Sequence, residues 1–320
     1  MTTTTIDHAE NVEKGSSLWH DAWLRLRKNR MAMGGLIFFT AITLLCFLGP
    51  LVLRLPDPNA LNLEARLQSP SAQHLLGTDH LGRDMLARVL DGGQISLLVG
   101  LVTTVMVVII GVLYGAISGY AGGRTDATMM RLVDVLYALP FLVIAILFSL
   151  WVESHVGTLT AWIMETTNSE RDRVFRITSL LPVFIAITAL AWLTMARIVR
   201  AQVIGLRHRE FVEAARSLGL GHTRILFRHI LPNSLGPVII YATLTVPAVM
   251  LFEAVLSFLS LGVQPPNSSW GILIKEGADR MDVTPALLLW PALFFSSTLL
   301  ALNFLGDGLR DALDPRSQGR

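Results

Sequence analysis

Charged residues are scarce in this sequence, and the scarcity argues against an ordinary soluble domain. Only 16% of the 320 residues are charged and 52% are hydrophobic, whereas soluble domains usually carry about 25% charged residues. The apolar residues also form long uninterrupted blocks, and a run of roughly 18 or more apolar residues is typical of a membrane-spanning helix. The composition therefore predicts an integral membrane protein.

Cysteine and lysine are nearly absent as well. The single cysteine, Cys46, lies inside an apolar block, which excludes a disulfide framework and a cysteine-based metal site. The three lysines, Lys14, Lys28 and Lys275, follow Glu, Arg and Ile, so no Gly-Lys-Ser/Thr sequence is present to hold a nucleotide phosphate. The net charge of +2 is too small to indicate a nucleic-acid partner. We expect no catalytic, metal or cofactor site in this chain, and no nucleic-acid partner.

Intervals without charged residues locate the membrane spans. Seven such intervals occur. Six are long enough and apolar enough for a span, whereas the second half of 254–274 contains Gln-Pro-Pro-Asn-Ser-Ser, a sequence typical of a loop. The sequence therefore predicts an all-α integral membrane protein with six transmembrane helices, near 32–53, 96–119, 133–151, 177–198, 237–261 and 285–305. Pro140, Pro182 and Pro247 fall within these spans and predict kinks.

The distribution of basic residues predicts the orientation. With the N-terminus inside, 17 of the 26 Lys and Arg residues lie on the inner side, and such a bias favours a topology with both termini in the cytoplasm. The polar start at 2–13 and the long first apolar run are unlike a cleavable signal peptide. We therefore expect a multi-pass membrane protein, lying in lipid, whose first span is retained.

The chain divides into four predicted segments. Residues 1–30 form a cytoplasmic N-terminal segment, and its amphipathic stretch at 18–30 is either a helix on the membrane surface or a charged flank that only fixes topology. Residues 31–94 hold the first span and a periplasmic loop. Residues 95–305 are the core transmembrane domain, which includes the cytoplasmic loop 199–235, and 306–320 form a cytoplasmic tail.

The end of the first outer loop predicts an amphipathic helix before the second span. Thr78 or Asp79 could cap this helix, and Asp84 and Arg88, four residues apart, could pair on its polar face. The later outer loop at 152–176 is polar, and nothing in it predicts a fold.

The cytoplasmic loop carries the most informative pattern. Phe211, Ala214, Ala215 and Leu218 form an apolar stripe of helical spacing, and Gly219 stands where a left-handed residue would end that helix. Thr223 could cap a second helix, which a proline would end. Such an elbow suits docking into a partner's groove; a basic loop that only obeys the topology rule is the alternative.

The same residues resemble a known sequence signature. Glu213-Ala214-Ala215 followed by Gly219 and Leu231-Pro232 is similar to the EAA loop of ABC importer permeases, although His229 stands where that pattern favours isoleucine. The resemblance implies that the loop is a coupling helix seated in a cleft of an ATPase subunit. Charged groups that could pair across this contact are Arg209, Glu213, Arg216 and Arg224.

Three further motifs narrow the resemblance to the C-type permeases of oligopeptide and dipeptide importers. They are Gly77–Asp84, Ser257–Gly271 and Asn303–Pro315. The resemblance implies a type I ABC importer permease fold, a location in the bacterial inner membrane and a heterodimer with a homologous second permease. It also implies two ATPase subunits that hold ATP and Mg, and a periplasmic peptide-binding protein. Oligopeptides are the expected substrate, with dipeptides, nickel chelates or glutathione as alternatives.

Glu253 is the only acid in the interior of a predicted span, since Asp134 lies at the very start of the third. An ionisable group in a membrane interior is functional or paired by default, so Glu253 either lines the substrate path or a gate, or packs structurally between helices. Coupled secondary transporters usually place several ionisable residues near the midplane, so a stand-alone transporter is the weaker alternative. Gly111, Gly115 and Gly119 predict a close approach of another helix, from this chain or a partner.

Overall fold

Helices make up most of the described chain. The computed structural model describes residues 18–167 and 171–313, and no β-strand forms in those ranges. The helices are α1 (Leu18–Lys28), α2 (Arg30–Val52), α3 (Met85–Ala121), α4 (Gly123–Tyr137), α5 (Phe141–Thr167), α6 (Arg171–Thr178), α7 (Leu181–Leu206), α8 (Glu210–Ser217), α9 (His222–Ile225), α10 (Leu235–Phe258), α11 (Trp270–Ala278) and α12 (Ala286–Leu313). The predicted features at residues 1–17 and 314–320 lie outside the described residues.

Six of the helical segments are long and apolar enough to cross a membrane. They are Arg30–Val52, Met85–Ala121, Phe141–Thr166, Val174–Leu206, His222–Phe258 and Ala286–Leu313. Each overlaps one of the six predicted spans, so the prediction of an all-α fold with six transmembrane helices is confirmed. The orientation with both termini in the cytoplasm stays a prediction.

The centre of the fold is the packing of α3 along α7. A Cβ added at Gly115 would lie 2.3 Å from the carbonyl oxygen of Ala196, and one at Gly111 would lie 2.6 Å from the Cβ of Met195. These glycines therefore let two helix backbones touch. The spacing of these glycines left open whether the approaching helix comes from this chain or from a partner. In the structure it is α7 of this chain.

The third span is interrupted, whereas the sequence predicted one continuous helix. The interval 133–151 is divided: α4 ends at Tyr137, and α5 begins at Phe141 after Pro140. Proline disfavours helix at the residue before it, so the chain breaks here instead of bending. Pro182 lies in the first turn of α7, where proline is tolerated. Of the three predicted kink sites, only Pro247 lies in the interior of a span helix, α10.

The predicted amphipathic helix before the second span is not a separate element. The chain from Thr78 to Asp84 forms a turn, with a glycine at φ +75°, and then α3 runs unbroken into the span. Asp84 caps α3 by accepting a hydrogen bond from the Ala87 amide (2.8 Å), so neither Thr78 nor Asp79 is the cap. This cap orients Asp84 away from Arg88, and the two residues do not pair as predicted.

Two other boundaries differ from the prediction. The last span helix, α12, extends to Leu313 instead of ending at 305, so the predicted tail at 306–320 begins inside a helix. The segment 152–176, predicted to be an outer loop without a fold, is largely helical, because α5 continues to Thr167 and α6 follows from Arg171. The hydroxyl groups of Thr160 and Thr178 meet at 2.8 Å between these two helices and hold them together.

Candidate functional site

The loop between α7 and α10 forms the predicted helix, glycine break and second helix. In α8, Val212 and Ala215 are buried in a cluster that includes Val203 of α7. Phe211 and Leu218 point outward, 40% and 80% exposed. The helix is therefore anchored on one face and leaves apolar surface on the other. Ala215 belongs to the anchored face, whereas the other members of the predicted apolar stripe, Phe211, Ala214 and Leu218, are exposed.

A glycine motif ends α8. Gly219 has a φ of +76°, and a Cβ there would meet nothing within 4 Å, so the backbone angle and not space requires glycine. The amide of Gly219 donates to the Arg216 carbonyl (2.9 Å) and that of Leu220 donates to the Ala215 carbonyl (3.2 Å). This is the Schellman arrangement, and it aims the chain into the second helix as predicted.

The second helix differs in detail from the prediction. The residue before α9 is Gly221, which offers no capping side chain, and Thr223 does not act as a cap. The helix continues as a π-helical turn over Leu226–Ile230, and a 3₁₀ turn then begins at Pro232. Ile230 is fully buried, so it supplies the apolar anchor at this end of the loop although His229 occupies the expected position.

The remaining predicted coupling residues lie on the loop surface. Arg209 precedes α8 as its N-cap, Glu213 and Arg216 lie on the helix, and all three are exposed. Pro232 is also exposed and Leu231 is half-buried. None of the three charged side chains forms an ion pair with the described part of the chain. The loop therefore presents unpaired charge around an apolar patch of Phe211, Ala214 and Leu218.

An ion pair that sequence reasoning missed supports the base of the loop. Asp126 of α4 accepts two hydrogen bonds from the Arg200 guanidinium of α7, at 2.5 and 2.6 Å, and a third from the Ser118 hydroxyl at 2.5 Å. The hydrogen bond from Arg200 holds the pKa of Asp126 below its usual range. This bidentate pair ties α3, α4 and α7 together where the loop leaves the spans.

A second ion pair lies near it. Arg197 donates to Asp134 (2.7 Å) and lies over the ring of Tyr137, with 4.2 Å between its central carbon and the ring centroid. Arg131 lies three residues before Asp134, a spacing from which the sequence predicts that the two pair at the start of the third span. That prediction is wrong, because Asp134 pairs with α7. Local spacing favoured Arg131, but the arginine that reaches Asp134 comes from a helix 63 residues away.

Glu253 lies inside α10, apart from the loop. Its side chain is fully buried, and it accepts hydrogen bonds from the hydroxyls of Ser257 (2.6 Å) and Ser96 (3.2 Å). The Ser96 hydroxyl in turn accepts from the Trp270 amide (3.1 Å). The carboxyl group therefore joins α3, α10 and the start of α11.

An open groove of about 480 Å³ lies beside the break between α4 and α5. Its walls are mostly apolar, with Phe141 and Phe252 in contact at 4.3 Å between ring centroids. Polar groups enter it from Tyr137 and Thr194, whose hydroxyls meet at 2.8 Å, and from Tyr241. No sequence signal marked these residues, because they gather from α4, α5, α7 and α10 only in the folded chain.

The opposite end of α3 holds a buried ionic cluster, which comprises Asp79, Arg83, Arg88 and Glu276. Arg88 is 4% exposed and donates to Asp79 (2.9 Å) and to Glu276 (2.6 Å), and Arg83 donates to Asp79 (2.6 Å). Burial alone would raise the pKa of Asp79, but the Arg83 amide and the two guanidinium charges outweigh it and lower the pKa.

The same balance applies to Glu276. Its burial would raise the pKa, but the hydrogen bond and charge of Arg88 lower it. Ligand atoms of Asp79, His80 and Glu276 lie within 4.8 Å of one another, a spacing that could hold a metal ion. The guanidinium groups of Arg83 and Arg88 already neutralise both carboxylates, so we interpret the group as an ion-pair network.

Comparisons with known proteins agree with this architecture. Residues 108–319 match the family described as the binding-protein-dependent transport system inner membrane component. Residues 17–70 match the N-terminal TM domain of oligopeptide transport permease C. Together the two matches cover both the first span and the segment with the loop.

Full-length relatives are also similar. The oligopeptide transport system permease protein OppC of Haemophilus influenzae is 43% identical over 98% of this chain and 93% of its own length. OppC of Bacillus subtilis is 40% identical over 96% and 93% of the two chains. The dipeptide transport system permease protein DppC of that organism is 38% identical over 96% and 89%. This multi-pass inner-membrane chain therefore belongs to the family of binding-protein-dependent transport system inner membrane components.

Proposed function

We propose that this chain is one of two permease subunits in an ATP-driven importer of peptides. A homologous permease would complete the membrane path as a heterodimer, and two separate ATPase subunits would bind ATP and Mg. A periplasmic peptide-binding protein would deliver the substrate. The chain itself would bind no cofactor, because its sequence contains no phosphate-binding motif.

The surface of α8 is the observation that carries the coupling role. Phe211 and Leu218 expose apolar area at the end of a short helix, and exposed apolar patches rimmed by charge mark interaction sites. Val212 and Ala215 fix the other face of α8 to the span cluster. A partner that moves this surface would therefore move the ends of α3 and α7 as well.

The groove beside α4 and α5 suits one wall of a peptide path. Its apolar lining accepts many side chains, while Tyr241 and the hydrogen-bonded pair of Tyr137 and Thr194 offer hydroxyl groups to a peptide backbone. Glu253 lies outside this groove's lining and is already hydrogen-bonded to Ser96 and Ser257. We therefore favour packing over path lining for Glu253.

Oligopeptides are the substrate that the relatives favour. Two of the relatives described above carry oligopeptide transport in their names, and one carries dipeptide transport. Dipeptide, nickel-chelate and glutathione import remain the alternatives, and a stand-alone secondary transporter is the weakest. Competition for uptake among labelled peptides of two to six residues would distinguish an oligopeptide importer from a dipeptide importer.

The coupling role is tested in the reconstituted complex with Leu218→Glu. This change places a charge in the exposed patch of α8 without touching its buried face, so the complex should keep its fold. We expect peptide uptake and binding-protein-stimulated ATP hydrolysis to fall at least tenfold. Glu213→Ala should lower both activities less, because it removes one charge at the margin of the same patch.

Val283→Glu is the matched control, because Val283 is 78% exposed and lies just before α12, away from α8 in the chain. It should keep the ATPase activity of the wild type. Uptake that persists in proteoliposomes without any ATPase subunit would contradict the importer assignment. Equal loss in both variants would show that the effect is not specific to α8.

A further inference from the structure

The first helix, α1, is held at the point where the chain enters the membrane. Asn29 alone separates it from α2, the first span, and the Asn29 side chain caps α2 by accepting from the amides of Met31 (3.1 Å) and Ala32 (3.2 Å). α1 also packs against α12. Because both neighbours are spans, α1 is fixed at the depth of the lipid headgroups.

One face of α1 is committed to this packing. Ala22 and Leu26, four residues apart, are 8% and 4% exposed and form a cluster with Ala32 of α2 and Ala312 of α12. Residues four apart lie on one side of a helix. The contacts of this face therefore determine which side of α1 points away from the protein.

The other face combines apolar and basic side chains. Trp23 and Leu24 are 47% and 44% exposed. Arg27 lies four residues after Trp23, and Lys28 lies four residues after Leu24. Residues four apart share one side of a helix, so these side chains form one exposed surface. Arg30 is exposed just beyond the helix. None of the three basic residues forms an ion pair with the described part of the chain.

We propose that this face of α1 binds the headgroups of anionic phospholipids. Trp23 and Leu24 would enter the boundary between headgroups and acyl chains, where tryptophan is enriched, and the cations of Arg27, Lys28 and Arg30 would contact lipid phosphates. A protein groove would need an acidic partner for each cation. The bilayer supplies both an apolar boundary and anionic phosphates at the depth where α1 is held.

The purified full-length chain tests the proposal by native mass spectrometry with phosphatidylglycerol and, separately, phosphatidylcholine. We expect wild type to retain phosphatidylglycerol selectively. Arg27→Gln/Lys28→Gln should weaken its apparent affinity by roughly 30-fold at low salt, as two basic residues near an anionic surface imply. Phosphatidylcholine binding should not change.

Arg54→Gln/Arg66→Gln is the matched control. Both arginines are exposed and lie after the first span, so this variant removes the same charge from the other end of α2. It should retain phosphatidylglycerol as wild type does. Equal binding of the two lipids by wild type, or equal losses in the two variants, would overturn the proposal.

Two measurements on the wild type keep the test independent of variant folding. Raising the salt concentration should release phosphatidylglycerol but not phosphatidylcholine. Competition by inorganic phosphate at millimolar concentration would show a site for free anions and overturn the lipid assignment. A Trp23→Cys variant can be labelled with a water-soluble maleimide. If the cysteine is shielded only after partner subunits are added, this face of α1 binds a protein and not lipid. None of these outcomes depends on the transported substrate.

Discussion

Charged residues are paired near one end of α3 and unpaired on the helix that packs near its other end. At one end, Asp79, Arg88 and Glu276 are drawn into a buried cluster in which the carboxylates are matched by guanidinium groups. At the other end, α8 leaves Glu213 and Arg216 exposed without an ion pair in the described part of the chain. The closed network fastens the loop before α3 to the helices, whereas the unpaired charge on the surface of α8 is available to another molecule.

The largest effect is expected from breaking the closed network with Arg88→Met. This change leaves the buried Asp79 and the half-buried Glu276 with less compensation, and removal of one partner of a buried pair usually costs about 3–5 kcal/mol. Because Arg83 still reaches Asp79, we expect the lower value, about 3 kcal/mol of unfolding free energy. Denaturation of the purified chain in detergent measures it.

Arg66→Met is the control for that change, because Arg66 is exposed and has no ion pair in the described residues. Its unfolding free energy should stay within about 0.5 kcal/mol of wild type, as is usual for surface substitutions. If both variants lose the same stability, the network does not fasten the loop.

Gly219→Ala sharpens the comparison at the other end. The left-handed backbone at Gly219 costs a residue with a Cβ about 1–2 kcal/mol, and the surroundings leave space, so strain is the only penalty. We expect a loss of that size together with weaker coupling between peptide uptake and ATP hydrolysis. Proteolysis of the loop and assays of the reconstituted complex measure the two effects.

Gly205→Ala provides a matched comparison on the same side of the molecule. Gly205 is inside α7 and has no positive φ, and a Cβ added there would meet no atom within 4 Å. Alanine favours helix by about 1 kcal/mol over glycine, so this variant should be neutral or more stable. A loss of stability at Gly205 equal to that at Gly219 would contradict the role assigned to the backbone angle.

The smallest and most gradual effect is expected from pH. The pKa values of Asp79 and Glu276 are lowered in the folded chain, while such groups titrate near 4 when unfolded. A lowered pKa contributes stability that is fully present above the unfolded value and is lost as pH falls through the folded value. Thermal stability should therefore be flat from about pH 7 to 5 and decline below about 4.

Asp79→Asn should reduce that decline, because it removes one of the titrating groups. Glu213→Gln, a change of the exposed carboxyl group on α8, should leave the pH profile of thermal stability as in the wild type. Melting curves from about pH 7 to 3 compare the three chains. A decline of equal steepness in all of them would place its origin outside the cluster.

Local features were predictable from the sequence. Charge-free intervals gave the six spans, because the membrane imposes composition on each segment separately. The end of α8 followed from Gly219, since few residues tolerate its backbone angle. The break at Pro140 was underestimated as a kink, although the chemistry that causes it is also local.

Pairings between distant segments were not predictable. Arg200 reaches Asp126 across 74 residues of chain, and Arg88 reaches Glu276 across 188. The predicted pairing of Asp84 with Arg88 used the i,i+4 rule, but Asp84 was already engaged as the cap of α3. Helical spacing likewise could not show that the core packing of α8 would include Ala215.

The unbroken length of α3 has a mechanical consequence. Its 37 residues extend about 55 Å, against about 30 Å for the bilayer core. One end carries Arg88 in the buried cluster, and the other carries Ser118, which donates to Asp126 beneath the loop. A straight rod of this length that pivots by about 5° at one end displaces the other by roughly 5 Å. α3 can therefore act as a lever between the two faces of the membrane.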